Sequence, residues 1–198
     1  MRYRLPFSRP RQVIGVLGGS FDPPHAGHVH ISLEAMRRFG LDQVWWLVTP
    51  GNPLKEHGPA PLTERMAACR SILTHPRMHA SDFEAQAGTR YTAETLERLK
   101  AARPAVQFVW LMGADNLAQF DHWKGWKEIL NQVPVGVLAR PGQRISARMS
   151  KAARIYAPFR IKGRSSLCLG RSKAPAWCFV NVPMRHISST ELRKSGHW

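Results

Sequence analysis

Hydrophobic and polar positions along the chain alternate between short apolar runs and longer stretches with helical spacing. Each apolar run has the length of a buried strand, and the stretches that follow carry apolar residues three or four positions apart, which is typical of amphipathic helices. The pattern predicts strands at residues 13–17, 43–48, 78–83, 106–112, 133–139 and 177–182.

The helical stretches lie between these strands. We predict five helices, which cover residues 29–38, the stretch after Thr63, the stretch after Thr92, the aromatic-rich segment up to residue 130, and residues 187–193. Thr63 and Thr92 are the predicted N-caps of the second and third of these helices. Strands that alternate with helices favour an α/β fold with a doubly wound parallel sheet in a single domain. Ligands of such sheets bind beyond the carboxyl ends of the strands.

The segment 18–28 follows the first strand and reads GGSFDPPHAGH. Gly18 and Gly19 are predicted to form a turn in which no side chain keeps a phosphate away from the backbone. His25 and His28 are three residues apart in the first helical turn, and they therefore share a face beside the positive end of the helix dipole. This arrangement is suited to binding polyphosphate oxygens. His30 is expected to face solvent.

A second string, ISSTELR at residues 187–193, opens the last predicted helix. Ser188, Ser189 or Thr190 is either a simple helix cap or part of a phosphate site that Arg193 completes from one turn further on.

The charge of the chain narrows the class of partner. Its 198 residues include 29 Lys and Arg against 13 Asp and Glu, a net charge of +16, which favours nucleotides, nucleic acid or a membrane surface as partners.

Residues 1–11 form a basic leader before a domain at 12–198, and we expect a mobile basic insertion around 142–176 because that stretch lacks a clear hydrophobic period. The 3 cysteines are scattered without metal-binding spacing, and no apolar stretch would span a bilayer, so we expect a cytoplasmic protein without a membrane partner.

The first string resembles the signature of the nucleotidylyltransferase superfamily, His-x-Gly-His after the first strand. More narrowly, it is similar to the bacterial nicotinate-nucleotide adenylyltransferases, as is the Ile187-to-Arg193 string, which resembles their Ile-Ser-Ser-Thr-x-x-Arg motif. Two such motifs in the expected order at opposite ends of the chain are more specific than either one. The resemblance covers residues 13–141 and 177–195 and implies a Rossmann-like nucleotidylyltransferase fold.

Three middle stretches extend this resemblance. Tyr91-Thr92 and the residues up to Leu96 are similar to the family's Ser-Tyr-Thr-x-x-Thr-Leu, with Arg90 in place of Ser. Gly113 and Asp115 match a Gly-x-Asp whose aspartate lies close to the nucleotide. Trp123 matches the tryptophan that stacks on the pyridine ring, and Lys124 stands where the family often has an aromatic residue.

The resemblance implies adenylyl transfer from ATP to nicotinate mononucleotide, giving deamido-NAD and pyrophosphate. No general base is required, because the nucleophile is already a phosphate anion. His25, His28 and Arg193 would be the catalytic residues, and Tyr91, Thr92, Trp123 and Lys124 would bind the acceptor. Mg²⁺ would be bound through ATP oxygens rather than by protein ligands. The ATP-binding residues would be Gly18, Gly19, Ser20, Phe21, Gly113, Asp115, Ile187, Ser188, Ser189 and Thr190.

Two alternatives stay open. The chain is either this enzyme or a related transferase that uses phosphopantetheine, a cytidylyl group or nicotinamide mononucleotide. The weaker alternative is an RNA-binding protein, which the basic tract at 142–176 would suit, although a solvated charged surface accounts for that tract as well.

Overall fold

The computed structural model describes residues 3–51, 58–139 and 144–183, together with Ser189 and Leu192. Its centre is a seven-stranded sheet in which every pair of neighbouring strands is parallel. The strands are β1 (Val13–Gly19), β2 (Gln43–Val48), β3 (Met78–Ser81), β4 (Gln107–Gly113), β5 (Val135–Ala139), β6 (Arg160–Ile161) and β7 (Trp177–Asn181).

Eight helices connect these strands across the described ranges. They are α1 (Ala26–Phe39), α2 (Leu62–Ile72), α3 (Phe83–Ala87), α4 (Thr92–Ala102), α5 (Ala114–Ala118), α6 (Trp126–Gln132), α7 (Arg144–Met149) and α8 (Lys151–Ile155). Short 3-10 helices lie at Phe120–His122, Ala157–Phe159 and Gly163–Arg171.

The strand order, β3-β2-β1-β4-β5-β7-β6, confirms the predicted doubly wound sheet. The chain leaves β1 toward β2 on one side and later returns to β4 on the other side. Ligand sites of open α/β sheets lie outside the carboxyl ends of the strands at this reversal of direction. The candidate site is therefore expected where β1 and β4 end, at Gly19 and Gly113.

The core consists of two apolar clusters, one on each face of the sheet. Trp45 and Trp46 are adjacent in β2, and they pack into opposite clusters because side chains alternate along a strand. Both indole rings are fully buried, and both N–H groups have partners: Trp45 Nε1 donates to Gln43 at 2.8 Å and Trp46 Nε1 donates to Ser32 at 2.8 Å. The sheet is thus covered on both faces, as a parallel sheet requires.

Two predicted helix caps are wrong by one residue or more. Thr92 is the first residue of α4, because the extended backbone at Tyr91 makes Tyr91 the N-cap. Thr63 lies inside α2, whose N-cap position is Pro61. The third strand ends earlier than predicted, because Phe83 begins α3 and packs into the core.

The basic insertion contains regular secondary structure over the residues that the structure describes. From residue 144 onward it contains α7, α8, the strand β6 and two 3-10 helices, and β6 pairs with β7. Its helices are too short to show a period in the sequence. Arg160 lies over the ring of Trp177 at 5.3 Å, so part of the charge in this segment packs against aromatic side chains.

The basic leader is attached to the domain over its described residues. Arg4 N donates to Gln86 Oε1 at 2.7 Å, and the ring of Tyr3 lies edge-on to Phe83 at 4.9 Å. Among the helices of the described ranges, none combines the length and the apolar character needed to cross a bilayer.

A substitution at Gly136 in β5 tests how tightly the sheet packs against α1. A Cβ atom at this position would lie 2.5 Å from Cε2 of Phe39, which is fully buried. We expect Gly136→Ala to lower the free energy of unfolding by about 1–3 kcal/mol, which corresponds to roughly 2–4 °C per kcal/mol in a thermal melt. Gly58→Ala is the control, because no atom of the described residues lies within 4 Å of its Cβ position. Equal melting temperatures for the two variants would contradict this packing.

Candidate active site

The first predicted phosphate-binding residues lie at the end of β1. Gly18 and Gly19 are the last two residues of the strand, so the predicted glycine turn is wrong and the turn begins at Ser20. Packing is the reason for both glycines: a Cβ at Gly18 would lie 2.5 Å from Cη2 of Trp110, and one at Gly19 would lie 3.3 Å from the ring of Phe21.

Phe21 directs the turn between β1 and α1. Its φ is 48°, and its buried ring stacks on Trp46 with centroids 4.7 Å apart and planes 10° apart. Ser20 is exposed. Because the Phe21 ring is committed to the core, the groups that this residue can offer a ligand are those of its backbone.

His25 and His28 form a reciprocal cap at the start of α1. His25 is the N-cap residue, and its Nδ1 accepts a hydrogen bond from Gly27 N at 3.1 Å. His28 Nδ1 in turn accepts from His25 N at 3.2 Å. The two imidazoles therefore satisfy backbone N–H groups that helix starts otherwise leave without partners, in the manner of a capping box.

This cap fixes the tautomer of both rings. Since each Nδ1 accepts a backbone N–H, the proton of each neutral imidazole lies on Nε2. The ring centroids of His25 and His28 are 3.8 Å apart, and His28 also lies edge-on to Trp46 at 5.8 Å. His25 is buried and His28 is half-buried, so the surrounding groups restrict both rings to one orientation.

The structure brings the two terminal motifs together. Ser189 Oγ donates to Pro23 O at 2.9 Å across a separation of 166 residues. The remaining residues predicted for this string, Ile187, Ser188, Thr190 and Arg193, lie outside the described residues. His30 is half-buried, and its Nε2 lies 3.0 Å from Pro183 O in an exposed contact, so it faces solvent in part, as expected.

Gly113 and Asp115 lie where β4 passes into α5. Gly113 is the N-cap of α5, and Asp115 is exposed in the first turn. The carboxylate of Asp115 occupies the space that a Cβ at Gly113 would take. The glycine is therefore required for the aspartate to fold back over the end of the strand.

Trp123 lies at the end of the 3-10 helix that follows α5 and is half-buried. Its ring lies edge-on to Phe120 at 5.4 Å and to Trp110 at 6.4 Å. Since Trp110 also fills the space beside Gly18, one buried indole separates the end of β1 from Trp123.

Tyr91, Thr92 and Lys124 meet at the start of α4. Lys124 Nζ lies 4.1 Å from the centroid of the exposed Tyr91 ring, a cation–π contact between two predicted acceptor-binding residues. Thr92 opens the helix, and the Tyr91 side chain makes no capping hydrogen bond to it. The first N–H groups of α4 therefore lie beside this aromatic and cationic pair.

A buried polar cluster supports the start of α4, and the sequence analysis missed it. Thr95 Oγ1 lies 3.2 Å from Tyr91 O, 2.9 Å from Thr89 Oγ1 and 3.3 Å from Glu84 Oε1. Burial raises the pKa of Glu84 to about 7, against the opposing effect of the Thr95 hydrogen bond. The second threonine of the Thr-x-x-Thr pattern was the signal for this cluster.

Arg65 is the second missed residue. It lies in α2 and is fully buried, although arginine is among the residues least often found inside proteins. The signal was its place on the stripe formed by Leu62, Met66 and Cys69, where helical spacing puts it on the buried face.

The donors at this site suit a polyanion more than a bare metal ion. Within the described ranges, no three or more His, Cys, Asp and Glu side chains are grouped so that they could hold a metal. Asp22 Oδ1 accepts a hydrogen bond from Ala60 N at 3.3 Å, so this carboxylate joins the turn after β1 to the segment before α2.

A cavity of about 450 Å³ lies elsewhere, along β3 at the edge of the sheet. Arg4, Arg70, His79 and Asp82 line it, and no predicted site residue does. Its position away from the carboxyl ends of β1 and β4 separates it from the candidate site.

Known proteins are similar to this chain in sequence and in fold. It matches the cytidylyltransferase-like family over residues 16–195. A protein of Ruegeria pomeroyi named "Probable nicotinate-nucleotide adenylyltransferase" is 64% identical over 198 residues, which are 100% of this chain and 93% of that protein. A protein of the same name from Roseobacter denitrificans is 60% identical over 100% of both chains.

The solved structures agree on the fold. The nicotinic acid mononucleotide adenylyltransferase of Plasmodium falciparum, complexed with APC, superposes with a TM-score of 0.68 at 17% identity, over 93% of this chain and 83% of that one. The same protein complexed with NaAD gives a TM-score of 0.68 over 91% and 82%.

The capping role of His25 can be separated from any chemical role. We expect His25→Ala to lower the free energy of unfolding by about 1 kcal/mol, because the N-cap acceptor is lost. His25→Asn should keep most of that stability, since asparagine is a favoured N-cap residue. Thermal melts of both variants test this, and equal destabilisation by Ala and Asn would show that the ring contributes packing rather than a cap.

Proposed function

Since the chain belongs to the nicotinate-nucleotide adenylyltransferases of the cytidylyltransferase-like family, we propose that it transfers the adenylyl group of ATP to nicotinate mononucleotide. The products are deamido-NAD and pyrophosphate. The observation that carries the proposal is the stacked His25–His28 pair, which caps α1 beside a contact between Pro23 and Ser189 of the second motif.

The reaction is an in-line displacement at the α-phosphorus of ATP. A phosphate oxygen of the mononucleotide forms the new P–O bond, and the bond from the α-phosphorus to pyrophosphate breaks. The nucleophile needs no deprotonation, so the protein contributes positioning and stabilisation of charge. His25 and His28 donate from Nε2 to phosphate oxygens, because the cap commits both Nδ1 atoms to the backbone.

The other ATP contacts in this proposal surround the histidines. The backbone of Gly18, Gly19, Ser20 and Phe21 faces the phosphates, while Gly113 and Asp115 lie near the nucleoside at the end of β4. Arg193 and the hydroxyl-rich string from Ile187 through Ser188 and Ser189 to Thr190 hold the phosphates from the opposite end of the chain. Mg²⁺ enters with ATP and neutralises charge on its phosphate oxygens.

The acceptor lies against α4 and Trp123 in this proposal. Trp123 covers the pyridine ring, and the first N–H groups of α4 at Tyr91 and Thr92 receive the ring carboxylate. Lys124, held over Tyr91, adds positive charge at the same place.

A cytoplasmic location fits the chain because all 3 cysteines are free, and two of them are buried.

The test of the reaction is pyrophosphate release from ATP in the presence of nicotinate mononucleotide, nicotinamide mononucleotide, phosphopantetheine or no acceptor. Release with nicotinate mononucleotide, coupled to formation of deamido-NAD, supports the proposal. Release only with phosphopantetheine would instead identify a related transferase.

His28 is expected to act mainly in turnover. His28→Ala should lower kcat by about 10²-fold, as expected when a donor to developing charge is lost. His28→Asn retains an acceptor for the cap but lacks the Nε2 donor, and it should lose as much. His75→Ala is the control, because His75 precedes the edge strand β3, whereas His28 follows the carboxyl end of the inner strand β1. Full activity of His28→Ala at saturating ATP would remove His28 from the mechanism.

The acceptor site is expected to prefer the acid. Helix N–H groups and Lys124 favour a carboxylate, whereas the amide of nicotinamide mononucleotide brings N–H groups that find no acceptor there. We predict a kcat/KM at least ~10-fold higher for nicotinate mononucleotide, which matches the cost of an unpaired buried polar group. Trp123→Ala should raise the KM of the acceptor much more than that of ATP. Equal kcat/KM values for acid and amide would contradict this selectivity while leaving adenylyl transfer intact.

A further inference from the structure

Arg65 makes four hydrogen bonds to backbone carbonyl groups. Its Nη1 donates to Ser20 O at 2.7 Å and to Thr49 O at 2.8 Å. Its Nη2 donates to Pro50 O at 3.1 Å, and its Nε donates to Ala60 O at 2.6 Å. One guanidinium therefore connects the chain after β1, the chain after β2 and the segment that leads into α2.

Core packing alone does not account for this side chain. Burial lowers the pKa of the Arg65 guanidinium below its usual value, against the opposing charge of Asp22. A buried charge costs free energy that an apolar residue of similar volume avoids. The neighbours of Arg65 on the same face of α2 are the apolar Leu62 and Met66, but an apolar residue at position 65 would leave the four carbonyl groups without these donors. The role of Arg65 therefore lies in the groups that it binds.

The four bonds set the direction of the peptide groups at the candidate site. In a trans peptide unit, the C=O of one residue and the N–H of the next point in opposite directions. Because Ser20 C=O points to Arg65, Phe21 N–H points away from it. In the same way, the bond to Pro50 C=O turns Gly51 N–H away from α2.

A second set of bonds keeps these segments in register. Thr49 N donates to Gly19 O at 3.0 Å, and Ala60 N donates to Asp22 Oδ1 at 3.3 Å. The carboxyl ends of β1 and β2 are thus joined directly to each other and indirectly through Arg65.

We infer that Arg65 is a positioning residue for adenylyl transfer, which orients the backbone N–H groups after β1 and β2 toward the phosphates of the substrates. The inference rests on the proposed function. Arg65 touches no reacting atom in this role; it acts through the peptide groups of Ser20 and Pro50. The planar fork matters more than the charge, because only a guanidinium has donors spaced to reach the four carbonyls together.

Arg65→Lys separates the fork from the charge. Lysine retains the positive charge but carries its donors on one nitrogen, so it cannot reach all four carbonyls. We expect kcat/KM for ATP to fall by about 10- to 100-fold, because small displacements of positioning groups cost up to about 10² in rate. Arg65→Ala should lose more, and added guanidinium should restore part of its kcat by occupying the vacated space.

The matched control is Arg98→Lys. Arg98 also lies in a helix and donates to a backbone carbonyl, that of Ala87, but it serves no predicted site loop. All variants are assayed well below their melting temperatures, with folding checked by circular dichroism. If Arg65→Lys were less stable but kept the wild-type kcat and KM, Arg65 would be purely structural and the inference would be overturned. If Arg65→Ala does not fold, the lysine variant decides.

Binding of ATP without acceptor distinguishes failure of this inference from failure of the proposed function. Calorimetric titration with ATP and Mg²⁺ should show at least ~10-fold weaker binding for Arg65→Lys than for Arg98→Lys, because oriented N–H groups bind phosphate before any transfer. A wild-type protein that transfers to none of the acceptors would contradict the proposed reaction, and the ATP affinities would still decide the role of Arg65. Equal ATP affinities together with equal kcat would overturn that role.

Discussion

The structure depends on how the backbone polar groups are satisfied where β1 ends and α1 begins. β1 lies inside the sheet between β2 and β4, so its side chains and backbone are already committed to neighbours. The rings of Trp110 and Phe21 occupy the space that side chains at Gly18 and Gly19 would need. The chain therefore turns in a confined space, and the first N–H groups of α1 must be satisfied locally.

The reciprocal His25–His28 cap meets that requirement, and the proposed mechanism uses the same two rings. A serine or aspartate cap would satisfy the same N–H groups, but such a side chain has no ring N–H on the side away from the backbone. An imidazole accepts with Nδ1 and still has Nε2–H to donate. Because the cap and the ring stacking fix the orientation before substrate arrives, little reorganisation is needed when charge develops.

Much of this could be predicted from the sequence because it depends on local pattern. The apolar runs indicated the inner strands of the sheet, and the string from Gly18 to His28 indicated the turn at the end of β1. The caps Thr63 and Thr92 were misplaced because the N-cap is decided by where the backbone leaves the helix. Pro61 and Tyr91 occupy the two N-cap positions, although neither is a favoured capping residue. β6 was missed because a strand over Arg160–Ile161 is too short to show a period.

Arg65 and Glu84 were missed for a different reason, since their partners are distant in sequence or belong to the backbone. Sequence reasoning treats a charged residue on an apolar helical stripe as a boundary of that stripe, because a buried charge is costly. Four backbone carbonyl groups accept hydrogen bonds from the Arg65 guanidinium and offset the free-energy cost of burying its charge. They belong to Ser20, Thr49, Pro50 and Ala60. Thr49 and Ala60 are each followed by a proline, which has no N–H group, so the carbonyls of Ser20 and Pro50 are the two that also orient a donor. Their peptide units turn Phe21 N–H and Gly51 N–H away from Arg65, and the proposed site for anionic substrates would use these two groups.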